Sequence, residues 1–320
     1  MIEIDGGTGE AGGQIIRTSL TLSALTNKPV KIFNIRKNRP KPGLAMQHLT
    51  GAKAVRSICR GELIGAELGS TELIFNPGKI VGGNYEFNIG TAGSTILVAQ
   101  TIIPLLLHAE KKSTIKIIGG THVIHSPSYD YFSNVFLKAL ECMGGKVSSK
   151  LISSGYYPEG GGAIEITIEP SKLSEIAFFP EKNNIEAIIR LGSLPTHIGV
   201  REKKILVQNG IEKIRFIEEK TLSQGNCVTL HSGLIGFSVV GEKGKRAETV
   251  AQEAVSEFTK QLTYDVDYWL ADQLMIYYSL IKKGSYSFLK ATNHLKTNSE
   301  IIKKFLDVKI SIKDDSISFT

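Results

Sequence analysis

Cysteine is scarce in this chain. There are three in 320 residues, Cys59, Cys142 and Cys227, far apart and with no C-x-x-C pair. That usage argues against a disulfide-stapled scaffold or a thiolate zinc site and fits buried thiols in a reducing compartment. Long apolar runs are also missing. The longest, Ile96 to Leu107, has 12 residues and is interrupted by Gln100, Thr101 and Pro104, well short of the roughly 20 that a membrane span needs. The start, Met1 to Asp5, has neither a basic n-region nor an apolar h-region, so neither a signal peptide nor a membrane partner is expected and the location reads as cytoplasmic. No G-x-x-x-x-G-K-[ST] motif occurs, which argues against a P-loop NTPase. Nor is there a lysine-aspartate-glycine signature of the kind lysine-adenylating ligases carry.

What is present is ordinary globular composition, 42% hydrophobic and 22% charged, in a chain long enough for two domains or for one large domain with an insertion. Lys plus Arg number 38 against 31 Asp plus Glu, a net charge of +7, and this modest excess points toward a polyanionic partner. The densest cationic stretch runs from Arg36 to His48. There Arg36, Lys37, Arg39 and Lys41 lie in a loop stiffened by Pro40, Pro42 and Gly43, directly after a strand-like run. Proline fixes φ and restricts its predecessor, so the cations are held in few directions. Arginine's planar fork suits a phosphate. A solvated basic loop is the alternative reading.

The chain repeats itself. In the first copy a helix over 15–25 is followed by a strand over 30–35, the basic loop and a helix over 47–59. In the second the helix is 95–108, the strand 114–118, the loop 119–128 and the second helix 129–143. In the third the helix is 269–282, the strand 286–289, the loop 290–298 and the second helix 299–306, which a Thr297-x-x-Glu300 capping box would start. Strand candidates close each copy at 73–75, 163–168 and 308–319. The expected fold is α/β, of the α+β kind, with three helix-on-sheet units. Residues from about 185 to 265 read as a separate β-α-β-β-β-α insertion. The predicted organisation is therefore a core over 1–184, an inserted α/β domain over 185–265 and the rest of the core over 266–320.

Polar residues cluster in the strand-to-helix loop of every copy: Arg36, Arg39 and Lys41, then His122 and His125, then Asn293, His294 and Lys296. Gly7-x-Gly9-x-x-Gly12 matches a dinucleotide fingerprint in letters, but the second strand ends in Arg36 where an acidic residue is required. The glycine loop is still an anion cradle, because free N–H groups at a helix start point at the ligand. Glu10 in that loop could hold a divalent metal beside phosphates, and Arg17, one turn into the helix, could reach the same anion. His294 is the candidate nucleophile, since a neutral imidazole can attack phosphorus near pH 7 and the phosphoramidate passes the group onward. His122-x-x-His125 could bind a metal but lacks a third ligand.

Taken together, these segments resemble the RNA 3′-terminal phosphate cyclase family. The resemblance is carried by Asp5 to Arg17, Arg36 to His48, Gly65 to Gly69, Ile89 to Ser94, Tyr157 to Gly162, Val240 to Glu242, Leu270 to Leu274 and Thr292 to His294. It implies three α/β repeats similar to those of enolpyruvyl transferases, with a small inserted domain. It also implies a reaction in which the histidine matching His294 takes AMP from ATP, AMP passes to an RNA 3′-phosphate, and the neighbouring 2′-hydroxyl expels it to leave a 2′,3′-cyclic phosphate. By position, Gln100 and the segment Trp269, Leu270, Ala271, Asp272 and Gln273 match ATP-binding residues. Glu10 matches a metal-contacting acid for Mg or Mn, and Arg17, Arg36, Arg39 and Gln47 match the phosphate-binding cluster. Trp269 departs from the family's tyrosine or histidine, which would spare stacking on adenine but lose a hydroxyl contact. A non-catalytic ribosome-biogenesis scaffold of the same fold, or an enolpyruvyl transferase-like enzyme, are the alternatives.

Overall fold

In a computed structural model, which describes residues 1–9 and 11–320, the chain builds four sheets. The first unit is β1 (Ile2–Asp5), α1 (Gly13–Thr26), β2 (Val30–Phe33), α2 (Met46–Cys59), β3 (Glu62–Ile64) and β4 (Leu73–Asn76). Its sheet runs β1-β2-β4-β3, with β1 and β2 parallel and the other pairings antiparallel. The second unit is β5 (Asn84–Asn88), α3 (Thr95–Leu107), β6 (Ser113–Gly119), a helical stretch made of α4 (Tyr129–Tyr131), a π-helical turn (Phe132–Phe136) and α5 (Leu137–Cys142), then β7 (Lys146–Ser153) and β8 (Gly162–Glu169). It repeats the strand order as β5-β6-β8-β7, with the same parallel and antiparallel pairings.

Residues 186–259 hold β9 (Glu186–Gly192), α6 (His197–Gln208), β10 (Lys213–Glu219), β11 (Gly225–Ser232), β12 (Ile235–Val240) and α7 (Ala247–Thr259), in a sheet ordered β10-β9-β11-β12. Alternate residues on a strand face opposite sides, and here both sides are used. Ala187, Ile189, Val228, Leu230 and Val239 join Val250, Ala254 and Phe258 of α7 in a core of their own. The opposite face rests on the second unit through buried polar contacts. Arg190 pairs with Asp130 at 2.8 Å, and Ser128 reaches Ser238 at 2.8 Å and Thr229 at 3.3 Å.

The third unit is α8 (Tyr268–Ile281), β13 (Gly284–Ser287), α9 (Asn293–Phe305), β14 (Ile310–Ile312) and β15 (Ser316–Phe319), with sheet order β13-β15-β14. That is the order of the other two units without the first strand. Beside β13, the N–H of Val266 donates to the Ser287 carbonyl at 3.2 Å, so the chain leaving the 186–259 module occupies the position of the missing strand.

The three units share one core, in which α1 packs on α2, α3 and α9. This central position explains why α1 is buried nearly all round, with Gln14, Thr18 and Thr21 enclosed beside Ile15, Ile16 and Leu20. Among the described residues no helix is long and apolar enough to cross a membrane. The three cysteines are free.

Several elements differ from the sequence reading. The strand expected over 30–35 stops at Phe33, because Asn34 and Arg36 take left-handed φ values of 52° and 53°. The final strand candidate, 308–319, splits into β14 and β15. β3, β5 and β7 are edge strands with exposed alternate residues, and their polar composition hid them. The last helix starts six residues earlier than expected. The Thr292 hydroxyl caps it by accepting from the Leu295 N–H at 3.0 Å, which puts His294 in its first turn rather than in the loop before it.

Candidate functional site

The glycine loop, α1, α8 and α9 meet at His294. The Nδ1 of His294 lies 2.7 Å from Gln14 Oε1, and the Gln14 amide donates to Asp272 Oδ1 at 2.5 Å. Asn298, one turn beyond His294 on α9, donates to the same carboxylate oxygen at 3.2 Å and accepts from the Thr18 hydroxyl at 2.7 Å. The chain of donors fixes the protons. Because both Gln14 and Asn298 give their N–H to Asp272, the Gln14 oxygen faces His294 and must accept. Nδ1 is therefore the donor in this contact. Burial pushes the Asp272 carboxyl above the usual range, opposed by His294, Gln14, Arg17 and Asn298.

Gly12 lies directly before α1 in extended conformation, with no side-chain cap. A Cβ built on it would sit 3.5 Å from Arg39 Nη2 and 3.7 Å from His294 Cε1. The helix start, the Arg39 guanidinium and the His294 ring thus converge on one small volume. The first N–H groups of a helix have no intrahelical acceptor, so this volume favours an anion. Gly9, with φ of 58°, packs on Thr297, where a Cβ would come within 2.2 Å of the hydroxyl. That contact locks the glycine loop onto α9.

The phosphate-cluster candidates divide. Arg39 is exposed and close to Gly12. Arg36 is half-buried, its Nη1 spent on the Gly43 carbonyl at 2.8 Å, and burial together with Arg39 lowers its pKa. Arg17 is half-buried beside Asp272, with burial pulling its pKa down to about 10, so it keeps its charge at neutral pH. Gln47 bridges units one and two by accepting from the Ser94 N–H at 2.9 Å.

The ATP-site candidates divide as well. Trp269 is 41% exposed, with its ring centroid 6.5 Å from that of His294 and 4.8 Å from that of Tyr268. Leu270 and Ala271 are wholly buried in the shared core, so their side chains support α8 instead of facing a ligand. Gln100 donates to Gln273 at 2.6 Å, and both line a cleft with Gln14, Arg17 and Asp272. That cleft holds about 60 Å³, room for a few waters and too little for a nucleotide. Glu10 lies outside the described residues. Among the described residues no three acids, histidines or cysteines cluster as metal ligands.

His122 and His125 part company. His122 is wholly buried, between the Thr121 hydroxyl at 2.8 Å and Asp130 at 3.1 Å, while His125 sits on the turn with φ of 60°.

Sequence reasoning gave no role to Gln14, Thr18, Asn298 or His48. A signal existed for the first three: Gln14 and Thr18 are polar at i, i+4 on an apolar helix, and Asn298 is i+4 from His294. His48 is buried against Gly13, its Nδ1 accepting from the Ala45 N–H at 3.2 Å. Burial, with help from Arg17 and Arg36, pulls its pKa down to about 3.

The comparisons with known proteins agree with one another. A family model described as RNA 3′-terminal phosphate cyclase matches residues 8–312. A Sulfolobus acidocaldarius protein named RNA 3′-terminal phosphate cyclase is 47% identical, over 99% of this chain and 98% of its own length. Its namesake from Archaeoglobus fulgidus is 41% identical over 99% of each chain. Among solved structures, the enolpyruvyl transferase NikO from Streptomyces tendae covers 51% of this chain and 31% of its own at TM-score 0.28 and 12% identity, too loose a likeness to bear on the fold. With a family model spanning nearly the whole length and relatives this similar from end to end, the chain belongs to the RNA 3′-terminal phosphate cyclase family.

Proposed function

We propose that the protein converts an RNA 3′-terminal phosphate into a 2′,3′-cyclic phosphodiester at the expense of ATP. The observation that carries this reading is the relay from His294 through Gln14 to Asp272, set against the helix start at Gly12 and the Arg39 guanidinium. In the first step Nε2 of His294 attacks the α-phosphorus of ATP, the bond to the bridging oxygen breaks and pyrophosphate leaves. The imidazolium that forms keeps its Nδ1–H on the Gln14 oxygen, and the polarised amide passes the positive charge's field to Asp272. In the second, an oxygen of the RNA 3′-phosphate attacks the same phosphorus and His294 departs. In the third, the 2′-hydroxyl attacks the terminal phosphorus, loses its proton and expels AMP.

The chain's own groups supply positioning and charge. Arg39 and the first N–H groups of α1 neutralise the RNA 3′-phosphate that approaches the adenylated His294, and Arg17 adds charge. The exposed face of Trp269 offers adenine a stacking surface beside His294. A divalent metal, Mg or Mn, would shield the triphosphate and be held chiefly by its oxygens together with Glu10. A cytoplasmic setting, which ATP and free thiols suit, belongs to the same reading.

The test is self-adenylation. Wild type and His294→Ala are incubated with α-labelled ATP and divalent metal. Label on wild type alone, acid-labile and base-stable as a phosphoramidate is, is the expected result. Equal label on both proteins refutes the assignment.

A further inference from the structure

Between the glycine loop, α9 and β14 lies a groove of about 370 Å³ that the chemistry above does not use. Lys296, Ser299, Glu300 and Lys303 of α9 line it together with Ile310 and Ile312 of β14 and Thr8 of the glycine loop. Residues at i, i+3, i+4 and i+7 share one helix face, and seven residues of rise set the two lysines about 10 Å apart along the axis. The volume is within the range of small-ligand sites.

Three observations give the groove a ligand. Lys296 and Lys303 are both exposed, and Glu300, 3.1 Å from Lys303, can accept a hydroxyl hydrogen. Ser299 is one of the groove's lining residues, and its hydroxyl is buried with no hydrogen-bond partner, although buried polar groups are nearly always satisfied. The groove is also continuous with the histidine site, because Thr8 adjoins Gly9, Gly9 packs on Thr297, and Lys296 is two residues beyond His294. Cations spaced along an aliphatic surface, with a carboxylate acceptor between them, match successive phosphates and a ribose of one RNA strand.

We propose that this groove binds the RNA strand upstream of its terminal phosphate, with Lys296 and Lys303 on backbone phosphates and Glu300 toward the sugar. The inference rests on the cyclase reading and adds to it the path of the strand.

The test uses the Lys296→Ala/Lys303→Ala double variant with two substrates, a 3′-phosphorylated oligoribonucleotide and a 3′-phosphorylated dinucleotide too short to fill the groove. The expected result is a KM for the oligonucleotide raised on the order of tenfold, with the dinucleotide KM, self-adenylation and melting temperature unchanged. The salt dependence of oligonucleotide binding also becomes shallower, since fewer counterions are released. An unchanged oligonucleotide KM overturns the proposal. So does a parallel fall in self-adenylation, which would assign the groove to the ATP triphosphate. If wild type neither adenylates nor cyclises, the cyclase reading fails by itself, and fluorescence polarisation with the labelled oligonucleotide still decides the groove. Binding to wild type and loss in the double variant supports it; equal binding overturns it.

Discussion

His294 and Gln14 are 280 positions apart in the chain and 2.7 Å apart in space, joined Nδ1 to Oε1. Gln14→Met removes the acceptor that fixes the imidazole tautomer and a donor to Asp272 while keeping side-chain length. The expected outcome is a 10- to 100-fold slower adduct formation with α-labelled ATP, corresponding to about 1.5–3 kcal/mol for hydrogen bonds to charged groups. The melting temperature should move by no more than a few degrees. A rate equal to wild type would remove Gln14 from the relay.

Gly12 and Gly13 should respond differently to alanine. At Gly12 the new methyl meets only ordinary contacts, 3.5 Å from Arg39 and 3.7 Å from His294. Gly12→Ala is expected to fold normally and to lose adenylation, because the methyl crowds the His294 ring where the α-phosphate must approach. At Gly13 the methyl would come 2.1 Å from His48 Nε2. His48 is buried, so Gly13→Ala should destabilise the fold by about 1–3 kcal/mol. Thermal melts separate the two, and identical melting losses would contradict this geometry.

Arg39→Ala is predicted to spare self-adenylation and to slow AMP transfer to a 3′-phosphorylated RNA, since Arg39 faces the anion site without anchoring the protein. Arg36→Ala should impair both steps, because its bond to the Gly43 carbonyl holds the whole basic loop. Single-turnover transfer from pre-adenylated enzyme checks the distinction. A collapse of adenylation in Arg39→Ala alone would move that residue to the ATP step.

The module at 186–259 is fastened by charge. Burial raises the Asp130 carboxyl, but His122 and Arg190 outweigh it and hold Asp130 well below the usual carboxylate range. Arg190→Met leaves that carboxylate buried without its main partner and is expected to cost about 3–5 kcal/mol. Adding Asp130→Asn should recover much of the loss. Denaturant titration of the single and double variants measures the coupling, and strictly additive effects would show that the pair does not interact. Excision of the module is predicted to require the Asp130→Asn change to yield a folded protein.

His48 should shape the acid limb of stability. Unfolded, it takes a proton near pH 6.5; folded, it does so only near pH 3. The folded state therefore binds fewer protons in this window. Stability is lost as pH falls from about 6.5 toward 3, at up to about 1.4 kcal/mol per pH unit. Against wild type, His48→Asn should show a flatter decline. An identical slope would mean that His48 does not titrate with unfolding.

Much of this protein is set by local sequence. The glycine loop before α1 and the proline-stiffened cations after β2 are readable because backbone freedom and proline geometry depend on near neighbours. So is the alternation that makes the strands of the 186–259 module visible. The cap of α9, by contrast, is misplaced at Thr297 by local sequence, because Thr292 and Thr297 offer the same local signal. Tertiary structure decided the rest. No local signal could show that Gln14 and Asn298 both turn to Asp272, that Leu270 and Ala271 face the core while Trp269 faces out, or that Arg190 finds Asp130. Nor could one show that Val266 stands where a strand is missing. These are contacts between distant segments, fixed when α1 is packed among α2, α3 and α9 and the buried polar groups must find one another.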